Sequence, residues 1–253
     1  MKVVSKMEGW GRNIAVAVLV AVASSAAADG IAGDDASACG VEFGISGGWE
    51  SRYVSEGRDN LDGDGLVSST VEAAFKGLSL NASYASSPDT DYRELNLGAG
   101  YTFTWNDLEA NVSYTHLRFL SDEEDEDDNE IGVGLAYSGL PAGLSVGLDG
   151  YYSFDTEGTF LGAYMAGEYD VMDWLTLVPS AVLGWNLGYI PDGHDGANHC
   201  ALSLEAIVPL KDGLELVGYI AQSWALDADP DKYEEDINLK DVFSGGAALC
   251  ATF

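Results

Sequence analysis

The chain has 253 residues, of which 42 are acidic and 11 are basic, so its formal net charge is −31 at pH 7. This excess of negative charge excludes a nucleic-acid-binding protein, since such proteins use basic surfaces to neutralise phosphates. Glycine and tyrosine are abundant, at 31 and 13 residues, whereas proline is scarce, at 6. Together with many segments of alternating polarity, this composition predicts an all-β protein.

The N-terminus has the features of a cleavable signal peptide. Three basic residues precede an apolar run at residues 14–23, and the alanines at 26–28 fit the small-residue cleavage pattern. An apolar run of about ten residues is too short to cross a bilayer as a helix. We therefore predict a signal peptide over residues 1–28, a periplasmic segment over 29–40 and a single β-domain over 41–253.

Segments in which apolar and polar residues alternate recur about twelve times after the signal peptide. At residues 95–103, for example, leucine, alanine, tyrosine and phenylalanine alternate with asparagine, glycine and threonine. In a soluble sandwich the apolar face of each strand would point inward, whereas in a membrane barrel it contacts lipid and the polar face lines the lumen. The predicted strands begin near residues 41, 66, 78, 92, 107, 130, 143, 159, 174, 198, 213 and 241.

The connections between these segments alternate between short and long. The short ones lie near residues 76–77, 106–107, 138–143, 172–173 and 211–212, and the longer ones at 54–65, 86–91, 121–130, 155–158, 190–197 and 226–240. Tight periplasmic turns that alternate with longer external loops are typical of transmembrane barrels. The last segment also ends on Phe253 in phase with its apolar face, as in the last strand of outer-membrane barrels. We predict a closed antiparallel transmembrane barrel of about twelve strands, with a soluble secreted β-protein as the alternative.

Aromatic residues on the apolar faces gather toward both ends of the predicted strands, which is typical of side chains at a membrane interface. The group at one rim is Phe75, Trp105, Tyr137, Tyr169 and Phe253. The group at the opposite rim is Trp49, Tyr53, Tyr84, Tyr152, Phe154, Trp185, Tyr189, Trp224 and Phe243. Two such belts favour insertion into the bacterial outer membrane.

One segment resembles a known family. Residues 49–58, Trp-Glu-Ser-Arg-Tyr-Val-Ser-Glu-Gly-Arg, precede an acidic, glycine-containing loop and are similar to the first hairpin of the TorF-like porin family. That family has Ser-x-Tyr-Val-x-Arg-Gly at this place, whereas here Glu56 replaces the arginine and Arg58 follows the glycine. The resemblance covers this hairpin and implies a small barrel, but it leaves the transported solute open.

The polar faces of the predicted strands are acidic, and rings of carboxylates favour cations over anions in a pore. We therefore expect a small porin with a preference for small cationic or neutral solutes. A closed lumen is equally compatible with the sequence, and a non-conducting barrel that binds through acidic external loops is the alternative function. The predicted pore-lining residues are Glu42, Glu50, Arg52, Glu72, Glu94, Glu109, Asp149, Glu168, Glu205 and Glu215.

Two connections are strongly acidic, at residues 122–128 and 227–241. Blocks of like charge repel one another, so we expect these segments to be solvated and mobile. Residues 60–65, Asn-Leu-Asp-Gly-Asp-Gly, partly resemble a calcium-binding loop, but Val71 stands where the loop needs its final glutamate. No metal ligand is assigned on this basis. We expect no cofactor beyond loose Ca²⁺ or Mg²⁺ bridging between acidic loops and lipopolysaccharide.

No pattern of catalytic residues stands out. A twelve-stranded outer-membrane phospholipase family carries a His-x-Ser arrangement, but here His116 is followed two residues later by Arg118, so no nucleophile is paired with a base. The sequence therefore predicts a protein that is not an enzyme. Its expected partners are outer-membrane lipid, lipopolysaccharide, small solutes and the barrel-assembly machinery.

The cysteines are at positions 39, 200 and 250. If the first and last strands are neighbours, Cys39 and Cys250 lie near the same seam of the barrel. A disulfide needs Cα atoms about 4.4–6.8 Å apart. The strand phase argues partly against the bond, because Cys250 is on the lumen side while Cys39 continues the lipid-facing series. A disulfide between these two residues is therefore left open.

Overall fold

The computed structural model describes residues 40–121 and 125–253. The predicted signal peptide at 1–28 and nearly all of the predicted periplasmic segment, with Cys39, lie outside the described residues. The described chain is almost entirely β-structure, and twelve long strands form one sheet that closes on itself. The predicted fold class is confirmed.

The strands follow one another along the chain, with two short 3₁₀ segments between them. The strands are β1 (Glu42–Glu50), β2 (Val54–Ser55), β3 (Arg58–Asp59), β4 (Leu66–Phe75), β5 (Leu78–Ser86), β6 (Arg93–Trp105), β7 (Leu108–Phe119), β8 (Glu126–Tyr137), β9 (Leu144–Ser153), β10 (Thr159–Gly167), β11 (Tyr169–Met172), β12 (Leu175–Leu187), β13 (Gly196–Lys211), β14 (Leu214–Ala225) and β15 (Val242–Thr252). The 3₁₀ segments are η1 (Pro141–Gly143) and η2 (Glu234–Ile237). Strands β2 and β3 form a separate small hairpin, and β11 extends β10 along β12.

Each long strand pairs antiparallel with its neighbours in sequence, and the ring closes where β1 meets β15. Gly44 lies opposite Thr252 and Glu50 lies opposite Gly246. The predicted pairing of the first and last strands is therefore confirmed. Around the twelve-stranded ring, β9 is six strands from β1 in either direction, so these two strands stand on opposite walls.

The apolar face of the barrel points outward. In β1, Phe43, Ile45 and Trp49 are about half exposed (51, 49 and 51%), whereas Glu50 is only 3% exposed on the inner side. Leu97, Leu202 and Leu204, which a soluble sandwich would bury, are also exposed. Full burial of one such side chain is worth about 1.5–3 kcal/mol, so this surface is stable only against lipid.

The predicted aromatic belts are confirmed for most of their members, which are exposed on the outer face. Tyr53 and Tyr189 are exceptions. Tyr53 is buried and donates a hydrogen bond to Glu94, and Tyr189 donates one to Glu130. Their placement in the outer belt was wrong, because both residues follow the ends of strands, where the strand alternation no longer fixes side-chain direction.

Short turns join the strands at one end of the barrel, which we call the turn end. Lys76 and Gly77 both have positive φ angles, of 50° and 84°, as a two-residue type I′ hairpin requires. The longer connections gather at the opposite end, which we call the loop end. Among the described residues, no helix is long and apolar enough to cross a membrane.

The acidic run at 122–128 is not wholly a loop, because β8 already begins at Glu126. Its first residues pair with the end of β7, where Arg118 lies 2.8 Å from Asp125 and 3.7 Å from Asp127. Residues 126–128 are strand rather than loop, since opposite charges and backbone hydrogen bonds extend the hairpin there, although Glu126 and Asp127 remain exposed. Residues 122–124 lie outside the described residues.

The inner wall is not uniformly polar. At the turn-end half of β12 to β15, a cluster of inward apolar residues packs together with Tyr219. Glu205 lies opposite Val178 in the strand register, beside this cluster. The buried members are Val178, Ile207, Val217, Ala248 and Cys250.

Candidate functional site

The predicted pore-lining residues fall into three environments. Glu50, Glu94 and Glu205 are buried, and the partly buried residues are Glu72, Glu109, Asp149 and Glu215. Glu42 and Glu168 are exposed at the turn end, and Arg52 lies in the first loop rather than on a strand. Their role in lining a pore stays a prediction.

Two of the buried carboxylates, Glu50 and Glu94, are held by neutral donors. The Tyr219 hydroxyl donates to Glu50 over 3.1 Å, and the Tyr53 hydroxyl donates to Glu94 over 3.2 Å. Tyr92 and Asn96 also donate to Glu94. Neutral hydrogen bonds orient these side chains but bring no positive charge to balance them.

Glu205 is fully buried, and neither of its carboxylate oxygens has a hydrogen-bond partner. Glu168 and Glu215 lie close enough to repel it electrostatically. On another part of the wall, Glu109 and Asp149 line a small recess together with Tyr164. Acidic groups are thus distributed around the interior rather than confined to one patch.

Positive charge is nearly missing from the strands that cross the wall. Within the described part of the chain, these strands carry Arg93, Arg118 and Lys211 as their only lysine or arginine residues. Arg93 begins β6, Arg118 is the penultimate residue of β7 and Lys211 ends β13. The middle section of the wall therefore has no fixed cation to balance its carboxylates.

The first loop, residues 51–65, crosses the mouth of the barrel at the loop end. Its tip is Glu56 and Gly57, which both have positive φ angles, of 49° and 73°. The hydroxyl of Tyr151 donates a 2.5 Å hydrogen bond to the Glu56 carboxylate. Because Tyr151 is on β9, the loop reaches from β1 to the opposite wall.

The tip is also fixed to β13. The side-chain amide of Asn198, which is fully buried, donates to the backbone carbonyl of Glu56. A Cβ atom on Gly57 would overlap the ring of His199. The left-handed backbone and this close approach both require glycine at position 57.

The base of the same hairpin is clamped by the loop at 226–241. Arg58 is 2% exposed, and its guanidinium lies 3.1 Å from the carboxylate of Asp236 and donates to the carbonyl of Glu235. Arg58 and Leu239 form an antiparallel bridge, and the Asp59 amide donates to Asn238 over 3.0 Å. Two loops that are far apart in sequence are therefore joined edge to edge.

Asp236 connects a third loop, residues 188–195, to this clamp. Its carboxylate accepts hydrogen bonds from the His194 amide (3.2 Å) and the Asp229 amide (3.0 Å), and it lies 2.8 Å from His194 Nδ1. Burial raises the pKa of Asp236, but the hydrogen bonds from Asp229, His194 and Arg58 outweigh it and leave the pKa below its usual value. The expectation that residues 227–241 are solvated is wrong for Asp236, which is buried and joins the loops, whereas the other acids of this segment are exposed.

Asp62 of the calcium-like segment and Asp59, which directly precedes the segment, lie beside basic side chains. Asp59 lies 2.8 Å from Arg52 and 3.4 Å from Lys240, and Asp62 lies 3.0 Å from Lys240. Over residues 40–121 and 125–253, no group of three or more histidine, cysteine, aspartate or glutamate side chains is arranged to hold a metal ion. Arg52 therefore balances a loop carboxylate and adds no free positive charge to the interior.

Two of the three cysteines lie among the described residues. Cys250 is a buried free thiol opposite Ser46, and Cys200 is a half-buried free thiol. The side chain of Cys250 is on the inner face, as predicted. Since Cys39 lies outside the described residues, its disulfide with Cys250 stays a prediction.

Most of the contacts at the mouth of the barrel were not predicted from the sequence. Glu56 and Arg58 were noticed as departures from a family pattern, but their position inside the barrel was not predicted. Asp236, His194 and Asn198 carried no signal, because the contacts that join them to one another and to the first loop connect residues 42 to 178 positions apart. The one indication of these contacts in the sequence was the hairpin motif at residues 49–58, directly after the first strand.

No protein-family model matches the sequence, and no curated protein matches it significantly. Among solved structures, the KdgM porin matches with a TM-score of 0.57 at 9% identity, over 83% of this chain and 99% of that one. An outer membrane channel from Pseudomonas putida gives 0.53 at 13% identity, over 88% and 99%. The NanC porin gives 0.52 at 9% identity, over 83% and 98%. The resemblance to TorF-like porins is not confirmed, and what the structure shows is the closed-barrel fold found in outer-membrane porins.

Proposed function

We infer that the protein is a channel of the bacterial outer membrane that passes small cationic or neutral solutes. The fold supports a channel, and the outward apolar face supports a membrane location. The observation that carries the cation preference is the distribution of charge. The interior carboxylates Glu50 and Glu94 have neutral partners, while the wall section between the two ends has no lysine or arginine among the described residues.

The two arginines that enter the mouth do not reverse this balance. Arg58 is paired with Asp236 and Arg52 is paired with Asp59, so each is neutralised by an acid of the loops. A cation in the lumen is attracted by the remaining carboxylates, and an anion is repelled by them. The tyrosine hydroxyls and amides around these acids also offer hydrogen bonds to neutral, hydroxylated solutes.

The orientation follows from the connections. Short turns face the periplasm and long loops face outward in barrels of this kind, so the clamped mouth is the external entrance. Lipid surrounds the apolar face, and lipopolysaccharide lies beside the acidic loops, where loosely bound Ca²⁺ or Mg²⁺ bridges like charges. The barrel-assembly machinery inserts the chain. The likeness of residues 49–58 to TorF-like porins supports the same assignment.

A non-conducting barrel is the second candidate, and one observation favours it. The first loop crosses the mouth and is tied to two other loops, which narrows the entrance. In that case the acidic loops would bind cationic partners at the cell surface.

Solute uptake by reconstituted liposomes separates the two candidates. Vesicles of neutral lipid are mixed with lysine hydrochloride, glucose or sodium glutamate at equal osmotic strength, and swelling is followed by light scattering. A channel of the proposed kind admits lysine and glucose faster than glutamate. Vesicles that swell no faster than protein-free vesicles would support the non-conducting barrel, and faster glutamate entry would contradict the cation preference.

A further inference from the structure

The hairpin that crosses the mouth carries a carboxylate at its tip. We propose that Glu56 determines the charge selectivity of the external entrance, and that the ion pair between Arg58 and Asp236 holds it in the lumen. This proposal rests on the proposed channel function and names the residues that would control it.

The tip of the hairpin lies across the mouth of the barrel. Glu56 lies in a loop that leaves β1, yet its carboxylate accepts from Tyr151 on the opposite wall. Its backbone carbonyl accepts from Asn198 on β13. These contacts to β9 and β13 place Glu56 across the mouth, where the residue is 6% exposed and acts on an entering solute through its charge.

Two other carboxylates lie near Glu56. Glu94 and Glu130, on β6 and β8, are near enough to interact with its charge. Tyr53 donates to Glu94, Tyr151 donates to Glu56, and Tyr189 donates to Glu130 over 2.5 Å. Of the three carboxylates, Glu56 is the one on a loop, so its place depends on what holds that loop.

The ion pair between Arg58 and Asp236 holds the loop in place. Arg58 is two residues from Glu56, and both it and Asp236 are almost fully buried. Removal of one partner of a buried ion pair leaves an uncompensated charge that the protein cannot keep inside without cost. Loss of Asp236 would therefore expel Arg58 toward water and withdraw Glu56 from the far wall.

The charge of Glu56 is tested by Glu56→Gln, because glutamine keeps the size of the side chain without its negative charge. Permeability ratios are measured in neutral-lipid planar bilayers under a KCl gradient. We expect the cation/anion ratio to fall by up to roughly fivefold, equivalent to about 1 kcal/mol for a unit charge at about 4 Å in water. The matched control is Glu157→Gln, at an exposed glutamate between β9 and β10, which leaves the ratio unchanged.

The clamp is tested with a reversible crosslink in a background where all three native cysteines are serine. Arg58 and Leu239 are antiparallel bridge partners, whose Cα atoms lie about 4.5–5.5 Å apart, within the range of a disulfide. In the double variant Arg58→Cys with Leu239→Cys, the oxidised channel should keep the selectivity of its background. Reduction should lower the cation/anion ratio and raise the conductance of the same molecules.

The outcomes separate the two proposals. If the wild-type protein does not conduct, the channel function fails. If it conducts with cation preference but Glu56→Gln has the same reversal potential, the role of Glu56 is overturned and the channel function stands. A crosslinked variant with equal conductance and selectivity in both redox states, or one in which the bond does not form, would overturn the clamp.

Discussion

Glu56 and Asp236 are buried carboxylates of one loop network, yet their pKa values shift in opposite directions. Burial raises the pKa of Glu56 above its ordinary 4.5, against hydrogen bonds from Ser55 and Tyr151 and the attraction of Arg58. Hydrogen bonds to Asp236 overcome its burial and lower its pKa below 3.8. The difference follows from the partners, since Asp236 has cationic and backbone donors while Glu56 has mainly hydroxyl donors.

This difference predicts the order of events in acid. A carboxyl group whose pKa is lowered in the folded protein stabilises the fold at every pH above its unfolded-state pKa. That stabilisation is lost only as the pH falls through the lower, folded-state pKa. As the pH falls from 7, Glu56 should therefore take up its proton while the Arg58–Asp236 clamp is still intact. The titratable and charged groups around Glu56 are Tyr53, Arg58, Glu94, Glu130, Tyr151, Tyr189 and His199.

Reversal potentials measured from pH 7 to pH 3 check this order. Cation preference should weaken before proteolysis of the first loop begins, and the Glu56→Gln channel should lack part of the pH dependence. Release of the loop at a higher pH than the loss of selectivity would contradict the assignment of the two shifts.

Asp236→Ala should release the first loop without unfolding the barrel. Breaking a buried ion pair from one side costs about 3–5 kcal/mol, because Arg58 is left buried without a counter-ion. Limited proteolysis would measure faster cleavage within residues 51–65. The double variant Arg58→Ala with Asp236→Ala should lose less stability than the sum of the losses in the two single variants. Lys240→Ala is the control, because its partly exposed pairs with Asp59 and Asp62 are worth about 0–1 kcal/mol.

At the scale of elements, the tip of the β2–β3 hairpin depends on a glycine in contact with β13. Gly57→Ala should cost more than the roughly 1–2 kcal/mol of a left-handed alanine, because the new methyl group also overlaps His199. Gly40→Ala is a matched control, since Gly40 has a similar φ of 68° and open space around it. Urea titrations of both variants in phospholipid vesicles would compare their free energies of unfolding, and equal losses would show that the tip is not packed against His199.

The strands were predictable because lipid on one side imposes an apolar residue at every second position. The start of β8 was not, since Glu126 to Asp128 lie at the loop end, where an extended strand tolerates charge on both faces. The contacts of the loops had no such regularity. Arg58 and Asp236 are 178 residues apart, and no periodicity relates them. Acidic composition alone suggested solvation, whereas the fold provides a buried arginine for one of those acids.

The whole molecule is a ring whose stability depends on the match between its outer face and lipid. Leu148 lies on that face at 63% exposure, in the middle of β9. Leu148→Arg should destabilise the inserted barrel by about 2–4 kcal/mol. Urea titrations in phospholipid vesicles measure this, with Asp89→Arg in an exposed loop as the control. Equal stabilities of the two variants would contradict the outward assignment of Leu148.

The central claim at this scale is that an acidic interior, with its arginines already paired, selects cations. The most direct measurement is the reversal potential of single channels in a KCl gradient, recorded at low and at high salt. The account predicts cation preference at low salt that weakens as the Debye length shrinks from about 10 Å at 0.1 M to about 3 Å at 1 M. A reversal potential of the opposite sign at low salt, showing that chloride passes more readily than potassium, would contradict it.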